Sequence, residues 1–184
     1  MEFRTLTTSR ITSIAAGMLF GWLAMQPVAA EVVDAGAAGF KLRFEIRFDQ
    51  PASTVYQTML DLKSWWDPDH TYSGDAANLR LDLRPGGCLC EYWDDGAVEH
   101  MRVGYLKENS TLRLLGGLGP LQAMAVSGAM SFDVTNVDGG SRFVFVYEVG
   151  GYTPGGVEAI AKPVDDVWAG HLARFEVAVN STGG

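Results

Sequence analysis

The fold is decided by the segment PVDDVWAGHLARFEVAV, residues 163–179. Proline favours the first turn of a helix, and the two aspartates after it suit a helix start, where the backbone dipole favours negative charge. Positions at helical spacing then form one mostly apolar stripe: Val164, Val167, Trp168, His171, Leu172, Phe175 and Val179. Because such a stripe has to be buried, the segment predicts a long C-terminal helix packed against a second layer.

The preceding part of the chain supplies that layer as a sheet. Residues 40–48 alternate between apolar and charged side chains, which predicts a strand with one buried face. Two short helices are predicted next, one after Pro51 and one at residues 63–66. Turn-forming residues separate six further predicted strands: 79–83, 88–93, 98–106, 111–115, 126–134 and 142–149. The sequence therefore predicts an α+β protein whose antiparallel sheet curls around the last helix.

The first 30 residues have the pattern of a secretory signal peptide. Arg4 and Arg10 lie in a short polar start, residues 11–25 are mostly apolar, and residues 28–30 are the small residues Val-Ala-Ala. The apolar run is shorter than the roughly 20 residues that a membrane-spanning helix needs. We therefore expect cleavage after Ala30 and a periplasmic or secreted protein with no stable membrane anchor after cleavage.

The charge of the remaining chain limits its partners. Without residues 1–30 it has 154 residues with 12 basic and 21 acidic side chains, a formal charge of −9. This length suits one domain, which we place at residues 40–180 after a flexible, Ala/Gly-rich lead-in at 31–39. An acidic chain without a basic cluster is a poor ligand for nucleic acid or anionic lipid, so we expect neither as a partner.

The order of elements also resembles a known family. A helix-borne Trp65-Trp66 pair precedes Asp67-Pro68, a turn is formed by residues 84–87 (Arg-Pro-Gly-Gly), and a long helix ends the chain. These features resemble the START-like, or SRPBCC, helix-grip superfamily over about residues 40–180, and most closely its bacterial branch related to the activator of the heat-shock-ninety ATPase. The resemblance implies a birch-allergen-like fold with a deep apolar cavity for lipids, polyketides and other hydrophobic molecules. It implies no shared catalytic residues.

Aromatic side chains are the first candidates for lining such a cavity. Trp65 and Trp66 are adjacent, so we expect one of them in the core and the other at the cavity mouth. The more apolar face of the hairpin formed by residues 88–106 is expected to point inward. The candidate lining residues are Trp65, Trp66, Tyr72, Cys90, Tyr92, Met101, Tyr105, Trp168 and His171.

The same hairpin carries two ionisable residues that could perform chemistry. A symmetric turn would pair Glu91 with His100 on the less apolar face, as a solvated ion pair outside the cavity. A single-residue bulge would reverse the faces and bring a carboxylate–imidazole pair inside, suited to general acid–base chemistry. His171 is predicted to face the sheet or the cavity, as a core residue or as a polar anchor for a ligand. Glu91, His100 and His171 are therefore the candidate catalytic residues if the protein is an enzyme.

Neither the cysteines nor the histidines predict a cofactor. In a regular strand the Cα atoms of Cys88 and Cys90 would lie about 6.6 Å apart, near the limit for a disulfide, so we expect two buried free thiols. His70, His100 and His171 lack the short spacings of a metal site. We expect no metal and no cofactor.

The leading interpretation is an exported protein that encloses a small hydrophobic ligand, such as a lipid, an isoprenoid or a polyketide-like molecule. The alternative is an enzyme of the cyclase, dehydratase or hydrolase kind that uses the same cavity. A protein-binding role like that of the heat-shock activator is disfavoured, because export would separate the chain from a cytoplasmic ATPase.

Overall fold

The computed structural model describes residues 31–182, and the predicted signal peptide lies outside the described residues. Within this range the chain forms strands and helices in the order β1 (Glu31–Gly36), β2 (Gly39–Phe48), α1 (Ala52–Leu60), β3 (Leu79–Leu81), β4 (Cys88–Trp93), β5 (Gly96–Lys107), β6 (Thr111–Gly116), β7 (Ala125–Val137), β8 (Gly140–Tyr152) and α2 (Glu158–Ser181). Short 3₁₀ turns lie at Leu62–Ser64, Pro68–His70, Ala76–Asn78 and Gly119–Ala123. In this part of the chain no helix combines the length and apolar character needed to span a membrane.

The strands form one antiparallel sheet in the order β1-β2-β8-β7-β6-β5-β4-β3. The sheet is curled, and the long helix α2 packs against it. This arrangement confirms the predicted α+β class and the helix-grip architecture. It follows from the alternation in the long strands, because each of them turns its apolar residues towards the helix.

The core is built where the stripe of α2 meets the aromatic residues of β8. The ring centroids of Trp168 and Phe145 are 4.3 Å apart, and those of Phe175 and Phe143 are 4.9 Å apart. All four side chains are buried. Burial of a large apolar side chain contributes about 1.5–3 kcal/mol, so this seam fixes the position of α2 on the sheet.

Two predicted boundaries are wrong. α2 begins at Glu158 rather than at Pro163, which lies inside the helix. The residues before this proline are good helix formers, and burial of Ala161 supports an earlier start. The stretch 31–39, predicted to be a flexible lead-in, contains β1, which pairs with β2. Main-chain pairing at a sheet edge needs no apolar alternation, so an Ala/Gly-rich stretch gives no warning of it.

The predicted register of the β4–β5 hairpin is also wrong. Its turn has two residues instead of four, so Glu91 pairs with Val98 rather than with His100. His100 is an extra residue in β5, because Met101 and Glu99 on either side of it pair with adjacent residues of β4. This bulge breaks the alternation, and His100 and Met101 are both buried. Glu91 and His100 therefore lie inside the protein, and not on the outer face as a solvated ion pair.

The irregularity in this hairpin also changes the state of the cysteines. Cys88 and Cys90 are joined by a disulfide, so the prediction of two free thiols is wrong. Their Cα atoms are 5.3 Å apart, within the range that a disulfide spans. A regular strand would place them about 6.6 Å apart. The pairing between β4 and β5 shifts between Leu89 and Cys90, at the centre of this segment.

Candidate ligand-binding site

A pocket of about 630 Å³ opens between α2, the loop at residues 118–124 and the segment 66–72. We call it the histidine pocket, because His70, His100 and His171 all line it. Trp66, Trp168 and aliphatic groups of α2 and the loop make most of its remaining surface apolar. The pocket therefore combines an apolar wall with a few polar groups, as small-molecule sites do.

His100 and Glu91 form a buried pair at this pocket. His100 Nε2 lies 3.0 Å from Glu91 Oε2, and the two residues are 4% and 0% exposed. The Glu91 carboxylate also accepts hydrogen bonds from the backbone N–H groups of Tyr72, at 3.0 Å, and Ser73, at 2.5 Å. His100 Nδ1 is buried and has no hydrogen-bond partner among the described residues. The pair is thus held firmly on the Glu91 side and left with one unused imidazole nitrogen.

The surroundings decide how this pair is charged. Burial would raise the pKa of Glu91, but hydrogen bonds from Ser73, Tyr72 and His100 outweigh it, and the pKa is lowered. Burial lowers the pKa of His100, and the neighbouring Glu91 opposes that only in part. At neutral pH Glu91 is therefore a carboxylate and His100 a neutral imidazole. The Nε2–H group donates to Glu91, which leaves a lone pair on Nδ1.

His171 is the second buried histidine of the pocket, one turn beyond Trp168 on α2. Its Nδ1 accepts a hydrogen bond from the backbone N–H of Asp67 at 3.1 Å. The centroid of its ring lies 4.5 Å from that of Trp66 and 5.3 Å from that of Trp168. Burial, with a smaller contribution from His70, lowers the pKa of His171 to about 3. The ring is therefore neutral, and because Nδ1 accepts, the proton resides on Nε2 as a donor.

Tyr72 crosses the histidine pocket from one wall to the other. Its hydroxyl donates to the carbonyl of Gly119 at 3.3 Å, and its ring lies 5.8 Å from the His100 ring. The side chain is half exposed. Tyr72 therefore covers His100 from the solvent side while its long hydrogen bond holds it to the loop at residues 118–124.

The chemistry of the lining excludes several kinds of site. Within residues 31–182, the lining of the pocket includes no lysine, arginine or cysteine. The hydroxyl of Thr71 donates to the carbonyl of Pro68 at 2.7 Å and is therefore already engaged. Among the described residues, one cluster could offer metal ligands, Cys88, Cys90 and Glu99, but the disulfide removes its thiolates. The histidine pocket thus offers imidazole groups and an apolar wall, without an anion-binding cation or an obvious nucleophile.

The structure brings together part of the predicted lining set. Trp66, Tyr72, Trp168 and His171 line the histidine pocket. Trp65 instead packs in the core, where its indole N–H donates to the carbonyl of Thr58.

The other members of the predicted set do not line it. Met101 is buried outside the lining, and Cys90, also buried, lies on the opposite face of β4 from Glu91. Tyr92 and Tyr105 are exposed. Tyr92 lies on the face of β4 opposite Glu91, and Tyr105 follows a second register shift, between Val103 and Tyr105 in the pairing of β5 with β6.

Sequence reasoning missed several lining residues, among them His70 and Pro163. The loop at residues 116–122 was recognisable as apolar and too rich in glycine and proline for a regular element. An apolar loop outside any regular helix or strand is the sequence feature that could have indicated a pocket wall. His70 follows a turn with no apolar pattern, and nothing in the sequence places it beside His171.

A second depression, of about 860 Å³, lies between α1 and the end of α2. It is an open surface groove, and Val177 on its wall is exposed. Its buried polar residue, Thr58, already donates to the carbonyl of Thr54. The histidine pocket is therefore the better candidate site, although it is the smaller of the two.

No protein-family model and no curated protein matches the sequence. Solved structures match its fold. An uncharacterised protein from Rhizobium leguminosarum is 17% identical, with 81% of this chain and 99% of that chain covered and a TM-score of 0.54. A protein of unknown function from Enterococcus faecalis is 14% identical, with 85% and 79% covered and a TM-score of 0.57.

The Aha1 dimer from Colwellia psychrerythraea is 16% identical, with 78% of this chain and 98% of that chain covered and a TM-score of 0.56. At these identities the likeness concerns the fold alone. The chain therefore has a helix-grip fold of the Aha1-like kind, and its function has to be argued from its own residues.

Proposed function

We propose that this protein is an exported binding protein that holds a small, neutral hydrophobic molecule in the histidine pocket, and that it belongs to the START-like superfamily. The observation that carries the proposal is an apolar pocket lined by His100, a histidine whose buried Nδ1 has no hydrogen-bond partner among the described residues. A buried polar atom without a partner is unfavourable, so a ligand that donates to it would be stabilised.

The shape and charge of the pocket support a neutral ligand. Helix-grip proteins often bind hydrophobic molecules between the sheet and the long helix, and this pocket lies beside α2. A lipid, an isoprenoid or a polyketide-like molecule fits its volume and apolar wall. Because the described lining residues include no lysine or arginine and the chain is acidic, an anionic ligand would lack a partner for its charge.

Export is supported by two features at different places in the chain. The first 30 residues have the charge and hydropathy pattern of a signal peptide. The Cys88–Cys90 disulfide is of a kind that persists in an oxidising compartment and is rare in the cytoplasm. The acidic surface further favours a protein that remains free of anionic membranes and nucleic acid.

Binding can be tested with the neutral dye Nile red and two matched variants of α2. Val167 is half-buried and lines the histidine pocket, whereas Val177 is 67% exposed and lies outside it. We expect Val167→Arg to weaken Nile red binding at least tenfold, because the guanidinium would occupy the apolar pocket. Val177→Arg places the same charge on the same helix and is expected to bind the dye like wild type.

Two results would contradict the proposal. One is equal dye affinity for Val167→Arg and wild type, which would place any apolar binding elsewhere. The other is the absence of dye binding to wild-type protein with a normal melting temperature. Native mass spectrometry of protein purified from its own host would then identify a co-purified molecule, or show that none is retained.

A further inference from the structure

The binding role leaves one arrangement unused, the Glu91–His100 pair. Simple binding needs no carboxylate behind the histidine, and burying one is unfavourable unless it is well bonded. Here Glu91 is 0% exposed and accepts hydrogen bonds from two backbone N–H groups as well as from His100. A carboxylate that orients an imidazole and leaves its other nitrogen free is the arrangement of a general base.

We propose that His100 is a general base, positioned by Glu91, that removes a proton from the carbon next to the carbonyl group of an apolar ketone held in the histidine pocket. This inference rests on the proposed binding function, since the ketone has to enter the same pocket. It assigns the pocket an activity and its ligand a chemical class.

The composition of the pocket selects a neutral ketone among possible substrates. An acyl transfer through a covalent intermediate would need a nucleophile. The part of the lining that the structure describes has no serine or cysteine, and the Thr71 hydroxyl donates a hydrogen bond to the Pro68 carbonyl. A phosphate or carboxylate substrate would need a cation, and no lysine or arginine is among the lining residues that the structure describes. A neutral carbonyl needs only a hydrogen-bond donor at its oxygen.

His171 supplies that donor. Because the Asp67 N–H donates to its Nδ1, the His171 proton is on Nε2, and the ring lines the same pocket as His100. A neutral imidazole N–H is an effective donor to a carbonyl oxygen that becomes an enolate. The pocket thus combines a base at His100, a donor at His171 and an apolar wall.

The step balances without another reactant. His100 Nδ1 takes the proton from the carbon next to the carbonyl, and the electrons of the broken C–H bond form the carbon–carbon double bond of the enolate. The carbonyl π electrons move to oxygen, where the His171 Nε2–H donates. Glu91 stabilises the imidazolium that forms on His100. Return of the proton to the same carbon, or to a conjugated one, regenerates the ketone and the neutral base.

The test uses 2-tetralone, an apolar ketone, and follows exchange of its α-hydrogens with D₂O by proton NMR. We expect wild type to accelerate exchange, and His100→Gln to slow it about a hundredfold or more, as expected for loss of a general base. Glu91→Gln should move the acid limb of the pH–rate profile to lower pH, because the carboxylate raises the proton affinity of the imidazole. Glu99→Gln is the matched control. Glu99 is the residue before His100 in β5, but its side chain lies on the outer face and pairs with Arg102.

Ketone binding is measured separately by tryptophan fluorescence, which distinguishes the two proposals. If 2-tetralone binds but wild type exchanges its α-hydrogens no faster than His100→Gln does, the general base is overturned and the binding function stands. Failure of 2-tetralone to bind wild type would overturn both the binding function and the general base for apolar ketones.

If His100→Gln does not fold, the proposal can be tested on wild type alone by measuring its affinity for 2-naphthol, which resembles the enolate. We expect it to bind at least tenfold more tightly than 2-methylnaphthalene. Equal affinities would overturn the proposal.

Discussion

At the scale of single residues, His171 makes stability depend on pH. Its pKa is about 3 in the folded protein and close to 6.5 in the unfolded chain, so between these values the unfolded chain binds more protons. The stabilising contribution of neutral His171 is complete above pH 6.5 and is lost as the pH falls towards 3. Burial also lowers the pKa of His100, so the contribution of neutral His100 to stability is likewise lost as the pH falls.

We therefore expect His171→Gln to flatten the pH dependence of unfolding. Between pH 6 and pH 4 the free energy of unfolding of wild type should fall by about 1.4 kcal/mol per pH unit more than that of the variant. Urea titrations at three pH values in this range measure the difference. At pH 7.5 the variant should be less stable by about 1–3 kcal/mol, because the hydrogen bond from Asp67 is altered. Parallel pH profiles for the two proteins would contradict the neutral, buried state of His171.

At the scale of elements, two glycines are expected to respond in opposite ways to alanine. Gly170 lies in α2, and a Cβ atom there would meet nothing within 4 Å. Gly170→Ala should stabilise the protein by about 0.5–1 kcal/mol, because glycine is a poor helix former. Gly128 lies in β7, where a Cβ atom would be 2.6 Å from the Tyr147 ring and 2.7 Å from the Glu148 carbonyl oxygen. Gly128→Ala should lower the melting temperature, and equal shifts for both variants would contradict the packing of β7 on β8.

The elements also show which parts of the structure follow from local sequence. The strand at residues 40–48 and the stripe of α2 were predictable, because each has a regular period and one buried face. The inner face of the β4–β5 hairpin was not, because it depends on one extra residue, His100, which breaks the alternation of β5. Strict alternation had placed Glu91 and His100 on the outer face and Tyr92 and Tyr105 on the inner one, and the irregularities at which the pairing of β5 shifts are not visible in that alternation. The candidate site was therefore predicted less well than the fold that carries it.

At the scale of the whole molecule, the edge strand β1 begins directly after the cleavage site that the proposed export requires. The expected cleavage site follows Ala30, and β1 begins at Glu31, which already pairs with Arg43 of β2. Cleavage at that point would release the signal peptide and leave the edge strand complete. Cleavage several residues later would remove β1 and expose the main-chain groups of β2, which are otherwise bonded.

We therefore expect N-terminal sequencing of the exported protein to find Glu31 as its first residue. A mature chain shortened to begin at Gly39 should have a lower melting temperature than the chain that begins at Glu31. The shorter chain loses the β1–β2 pairing and also the hydrogen bonds from Gly151 N–H to the Ala38 carbonyl and from Val157 N–H to the Ala37 carbonyl. The second of these bonds lies directly before α2, so its loss should also weaken Nile red binding in the histidine pocket. A retained Met1 on membrane-bound protein would contradict export as a soluble protein, and equal melting temperatures for the two chains would contradict a structural role for β1.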